Sequence, residues 1–96
     1  MKSEQQSVAK TQNNEIEIAL FTGEHCELCD KAEHIFEQVQ QSQVSFSRFH
    51  LKKYNIRKDP ELYHLYALRI PVLKRVDTQD ELGWPFDDMQ LKQFLS

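Results

Sequence analysis

Two cysteines stand in one motif, Cys26-Glu27-Leu28-Cys29, and the remaining residues of the 96 contain no other. A pair at this spacing can serve as a staple, hold a metal, or exchange disulfides. A bridge across two intervening residues closes a loop too small to restrain the unfolded chain much. Small secreted scaffolds instead spread four or more cysteines along the chain, so a staple is the poorest reading. A structural zinc site needs four ligands, commonly as two pairs. Here one cysteine pair is joined by His25, His34, His50 and His64 without ligand spacing, and no metal is expected. Disulfide exchange requires one thiolate to attack and a second thiol to resolve the mixed disulfide. A lone C-x-x-C supplies both, and in a reducing compartment it reads as redox chemistry.

The surrounding chain must place these thiols. A net charge of −3 gives no electrostatic reason to expect nucleic acid or an anionic membrane as partner. No apolar run approaches the roughly 20 residues of a bilayer span. Residues 1–14 are polar and aperiodic, so they are expected to form a flexible tail rather than a secretory signal. The expected domain is 15–96, monomeric and cytoplasmic. Glu15 to Phe21 alternates and then turns apolar, as in a strand entering a core. Leu28, Ala32, Ile35, Phe36 and Val39 recur at helical spacing from Cys26 to about Gln40. Val44 to about Phe49 reads as a polar edge strand, and Lys52 to Lys58 as a basic connection. That basic run is a solvated loop or a docking surface for an acidic partner.

Asp59-Pro60 signals a helix start, with Leu62, Leu65 and Tyr66 as its apolar face; Ile70-Pro71 interrupts it. Val72 to Val76 and Glu81 to Trp84 read as two strands around a turn. Asp87 and Gln90 fit a capping box, Phe86 can staple onto Leu91, and Met89, Leu91, Phe94 and Leu95 follow as an amphipathic face. Trp84-Pro85-Phe86 belongs to the core or lines a groove near the cysteines. The order β-α-β-α-β-β-α requires a parallel pair and an antiparallel hairpin, hence an α/β fold with a four-stranded mixed sheet flanked by helices.

A strand, a C-x-x-C opening the next helix and an Ile-Pro before a hairpin together resemble the thioredoxin fold in its compact glutaredoxin form. The sequence is similar to small bacterial glutaredoxin-like proteins of C-x-L-C type. The shared motifs are Thr22-Gly23-Glu24-His25-Cys26-Glu27-Leu28-Cys29-Asp30, Asp59-Pro60-Glu61-Leu62, Leu68-Arg69-Ile70-Pro71-Val72-Leu73 and Trp84-Pro85-Phe86. It departs from thioredoxins in having His25 before the first cysteine and Glu27-Leu28 between the pair. It departs from glutathione-using glutaredoxins in lacking Pro-Tyr between the cysteines and Gly-Gly after the proline hairpin, so no glutathione cofactor is expected. The resemblance implies a cis Ile70-Pro71 bond beside the cysteines and an Ile70 backbone open to strand-like pairing with a substrate. With His25, these residues form the expected substrate face.

At a helix start, Cys26 meets free N–H groups and the positive dipole end, which favour its thiolate. Cys29, almost a turn on, is expected to be more buried and to resolve. Glu24, Glu27 and Asp30 oppose a second anion, so the Cys26 thiolate is expected to be only moderately stabilised. The expectation is a thiol–disulfide oxidoreductase acting on a disulfide-containing protein or small thiol compound, and fed by a reductase or thiol donor. The rivals are a glutathione-dependent glutaredoxin and a non-enzymatic interaction or metal-binding module.

Overall fold

The computed structural model describes residues 15–43, 46 and 48–96; the expected tail at 1–14 lies outside them, as do Val44, Ser45 and Ser47. The strands are β1 (Ile16–Thr22), β2 (Phe49–Asn55), β3 (Val72–Arg75) and β4 (Glu81–Gly83), and the helices are α1 (Glu27–Ser42), α2 (Pro60–Tyr66) and α3 (Asp88–Leu95). A single turn of tighter helix, Ile56–Lys58, follows β2. The sheet runs β2-β1-β3-β4. β1 pairs parallel with β2 and antiparallel with β3, and β3 pairs antiparallel with β4. This is the expected mixed α/β sheet.

β1 is central because both its faces are apolar. Side chains alternate across a strand. Ile18 and Leu20 enter one core with Phe36, Phe49, Leu73, Leu91 and Leu95. Ala19 and Phe21 enter a second, on the other face, with Ile56, Tyr66 and Val72. α1 and α3 cover the first core, while α2 and the tight turn cover the second. Phe21 stacks on Tyr66 with ring centroids 4.3 Å apart.

Several boundaries differ from the sequence reading. The edge strand is Phe49–Asn55, so most of the basic run expected as a connection is strand. An edge strand tolerates lysines, because its outer side faces water and charge there discourages pairing with other chains. Leu28, expected on the apolar stripe, is exposed in the first turn of α1, where the helix has just left its entry loop. Leu65 is exposed because Leu62 and Tyr66, four residues apart, already carry the inner face of a short helix. Met89 is exposed for the same reason: Leu91 and Leu95 define the buried side of α3.

The helix entries follow their capping residues. Asp59 accepts from the amides of Glu61 and Leu62, with Pro60 at the first helical position. Asp87 accepts from the Gln90 amide at 2.8 Å, and the Gln90 side chain accepts from the Asp87 amide at 3.0 Å. Among the described residues Arg75 is the buried charged one. Its guanidinium pairs in a fork with Asp77 at 3.0 and 2.7 Å and donates to the Phe94 and Ser96 carbonyls at 2.9 and 3.2 Å. It thereby satisfies acceptors left open at the end of α3.

Candidate active site

β1 ends at Thr22, and the loop Gly23-Glu24-His25 carries the chain into α1. His25 turns the backbone with φ of 55°, a left-handed conformation in which histidine is enriched among side-chain-bearing residues. Gly23 lies close to the next loop: a Cβ there would lie 2.9 Å from Ile70 Cδ1, the flexible end of that side chain. The loop before Cys26 and the loop before Pro71 therefore touch.

Cys26 is the N-cap residue of α1, in extended conformation with φ −102° and ψ 98°. Its Sγ accepts from the Cys29 amide at 3.1 Å, the place a Ser, Thr or Asp oxygen takes in most caps. The two cysteines are joined as a disulfide, with Cα atoms 5.2 Å apart. Cys29 is only 3% exposed, whereas Cys26 is half-buried. The asymmetry arises because Cys29 lies on the inward stripe with Ala32, Phe36 and Val39. Glu24, Glu27 and Asp30 are all exposed around the pair.

The Ile70-Pro71 bond is cis, as the resemblance implied, and so is Trp84-Pro85, a segment whose isomer the sequence reading did not address. Register brings Pro71 to the same end of the sheet as the cysteine loop, since its neighbour Val72 pairs with Phe21. Pro71 is fully buried and its carbonyl accepts from the Trp84 amide at 3.1 Å. Ile70 is half-buried and its amide donates to the Tyr66 carbonyl at 3.1 Å. His25 is exposed. The expected substrate face thus divides into an exposed histidine, a half-buried isoleucine and a proline set beneath the surface. Trp84 packs against the first core and meets Phe86 edge-on at 5.2 Å.

A polar cluster around Glu81 gave no signal in the sequence, because Glu81 stands 15 and 12 residues from its partners Tyr66 and Arg69. Glu81 accepts from Tyr66 Oη at 2.6 Å and from Arg69 at 2.7 Å, and the Arg69 guanidinium lies 5.1 Å over the Tyr66 ring. Burial and then the bond to Glu81 push the Tyr66 phenol up to about 12. The Tyr66 hydrogen bond, aided by Arg69, holds the Glu81 carboxyl below its ordinary range.

Among the described residues no three His, Cys, Asp or Glu side chains are grouped to hold a metal ion. His34, which meets Gln38 at 3.1 Å, and His50 and His64 are exposed and separate from the cysteine pair. No described helix is long and apolar enough to cross a membrane.

Comparison with known proteins gives the geometry its setting. No curated protein matches the chain. Among solved structures, the protein XcR50 from X. campestris is 31% identical, over 81% of this chain and 93% of that one, with a TM-score of 0.68. Protein Ne2328 from Nitrosomonas europaea is 24% identical over the whole of both chains, with a TM-score of 0.70. A mutant thioredoxin from Halobacterium salinarum NRC-1 shares the fold at 19% identity, over 96% of this chain and 82% of that one, with a TM-score of 0.60. The Cys26–Cys29 pair of this chain is of the general C-x-x-C type, not the narrower C-x-L-C type of the sequence reading. The model of the glutaredoxin-like domain (DUF836) matches residues 17–96, so the chain belongs to that glutaredoxin-like family of the thioredoxin fold.

Proposed function

We propose that the protein is a thiol–disulfide oxidoreductase that reduces disulfides through a dithiol cycle, with Cys26 as nucleophile and Cys29 as resolving thiol. The observation that carries this reading is the unequal exposure of two bonded cysteines at a helix start: Cys26 is half-buried, Cys29 3% exposed. In the reduced protein the Cys26 thiolate attacks one sulfur of a substrate disulfide. A Cys26–substrate bond forms, and the other substrate sulfur leaves as a thiolate and takes a proton. Cys29 then loses its proton and attacks Cys26 Sγ, releasing the second substrate thiol and closing the Cys26–Cys29 disulfide. A thiol donor or reductase returns two electrons and two protons.

His25 and Ile70 flank the attacking sulfur as the substrate face, over buried Pro71. With its amide bonded to Tyr66, Ile70 has its carbonyl to offer an extended substrate. Glu24, Glu27 and Asp30 make a thiolate at Cys26 less favourable, so our reading is a couple toward the reducing, thioredoxin-like end and away from the strong oxidants near −120 mV.

The test is equilibration in graded dithiothreitol buffers, with thiol trapping and intact-mass readout. A reversible two-electron transition, lost in Cys26→Ser and Cys29→Ser, is the expected result. A pair that stays reduced throughout, or is trapped only after a chelator is added, would overturn it. Replacing dithiothreitol by glutathione as sole donor should give turnover far slower than a dithiol donor gives.

A further inference from the structure

The Ile70 loop is held both by its backbone and by the side chain of Arg69, and Tyr66 takes part in both. The Tyr66 carbonyl accepts the Arg69 amide at 2.8 Å and the Ile70 amide at 3.1 Å. The Tyr66 hydroxyl donates to one oxygen of Glu81, and the Arg69 guanidinium donates to the other. That guanidinium also lies over the Tyr66 ring, so charge, hydrogen bond and ring face grip Arg69 together. The ring stacks in turn on Phe21, next to the end of the strand that leads into the cysteine loop. Glu81 pairs with Lys74, two residues further from the cysteine end of the sheet than the Val72–Gly83 pair. The Arg69 side chain therefore reaches back along the sheet, while Leu68 beside it is fully exposed at the turn. Among the described residues no donor meets the Ile70 carbonyl.

We propose that Arg69, clamped by Glu81 and Tyr66, is a positioning residue that sets the Ile70 carbonyl to accept a backbone N–H of the substrate, so that disulfides within peptide chains are favoured over small disulfides. The inference rests on the dithiol reading above and deepens it, by naming the substrate class and the residues that select it. A loop ordered before binding loses little further backbone freedom when a substrate pairs with it. With the Ile70 amide already bonded to Tyr66, the pairing supplies one hydrogen bond, and its geometry depends on whatever fixes the loop. A small disulfide has no main-chain amide and gains nothing from the clamp. The chemical step is the same for both classes: the bond from Cys26 to one substrate sulfur forms as the substrate S–S bond breaks, and the second sulfur leaves as a thiolate.

The test isolates attack by Cys26, using reduced Cys29→Ser protein as parent at about 1 M salt, where charges are screened within about 3 Å. One reagent is the bis-nitrobenzoate disulfide. The second joins the same nitrobenzoate thiol to the cysteine of an uncharged, end-blocked pentapeptide. The third is its depsipeptide, with esters in place of the amides at the cysteine and its neighbours. Each releases one coloured thiolate when Cys26 attacks. In the parent the peptide should react about three- to tenfold faster than the depsipeptide, the size of one hydrogen bond. Arg69→Met and Glu81→Gln should each lose most of that ratio, while the rate with the bis-nitrobenzoate disulfide changes less than about twofold. Arg69→Lys, which keeps the charge without the planar fork, should retain part of the ratio. A ratio near one in the parent, or one that survives Arg69→Met and Glu81→Gln intact, overturns the inference. So does an equal slowing of all three reagents, which marks a merely structural clamp. Those outcomes leave the dithiol cycle standing. No coloured release with any reagent, from this protein or from the reduced native chain, would instead remove the dithiol reading beneath it.

Discussion

Glu81 and Asp77 each hold donors that a proton on the carboxyl would release. Glu81 takes Tyr66 Oη and Arg69, and Asp77 takes the buried Arg75 fork, so both carboxyls titrate below their ordinary range. A depressed folded pKa contributes stability above the unfolded value, about 4.3 for Glu and 3.9 for Asp, and that contribution is lost as pH falls through the folded value. Unfolding free energy should therefore decline below about pH 5, with a shallower decline in Glu81→Gln and Asp77→Asn, as urea titrations at stepped pH will register. Tyr66 has the opposite sign. Its phenol stays protonated in the fold up to about 12, so the unfolded chain releases its proton first and stability drops as pH climbs from roughly 10. Following phenolate absorbance should reveal two tyrosines that ionise late, Tyr54 bonded to Glu17 and Tyr66, and Tyr66→Phe should remove the later step. At neutral pH, Glu81→Gln exchanges charged hydrogen bonds for neutral ones and should cost about 1 kcal/mol.

Elements were legible where a local rule sets their ends. Asp59-Pro60 and Asp87…Gln90 announced two helix starts, and both carry the expected cap bonds. Asp87→Ala should lower stability by about 1 kcal/mol and fray the first turn of α3, measurable by urea melts and amide exchange. The cysteine helix was equally readable, from its stripe and from Cys26 before it. β2 was not, because an edge strand is held by main-chain bonds to one neighbour and its outer side chains answer to water. Lys52 and Lys53 consequently look like the start of a basic loop, while Val44 to Phe49, with its serines at 45 and 47, reads as the alternation of a strand; the strand is Phe49–Asn55. The site was legible in its sulfurs and in the Ile70-Pro71 bond. The Gly23–Ile70 approach and the bonds that Glu81 takes from Tyr66 and Arg69 were not, since each joins one element to another distant in the chain.

The whole molecule stands on a sheet with apolar packing on both sides, and small domains of this kind retain only about 5–15 kcal/mol of net stability. Phe36 is almost fully buried in the larger core beside Leu20 and Leu73. Phe36→Ala should cost about 3–5 kcal/mol, enough to lower the urea midpoint sharply and to raise the reactivity of Cys29 toward alkylating reagents in the reduced protein. The position of β1 has a further consequence during synthesis. This strand is translated before either partner, yet Leu20 must meet Lys53 on one side and Leu73 on the other. At about 5–20 residues per second, roughly three to ten seconds separate the making of Leu20 from that of Leu73. Throughout that interval Ile18-Ala19-Leu20-Phe21 is an apolar run without its completed sheet. The two cysteines wait for nothing: they are neighbours in the chain from the moment Cys29 is added. On a ribosome the pair is able to close before any fold exists to bury it, and the nascent protein meets oxidants first as a peptide, then as a domain.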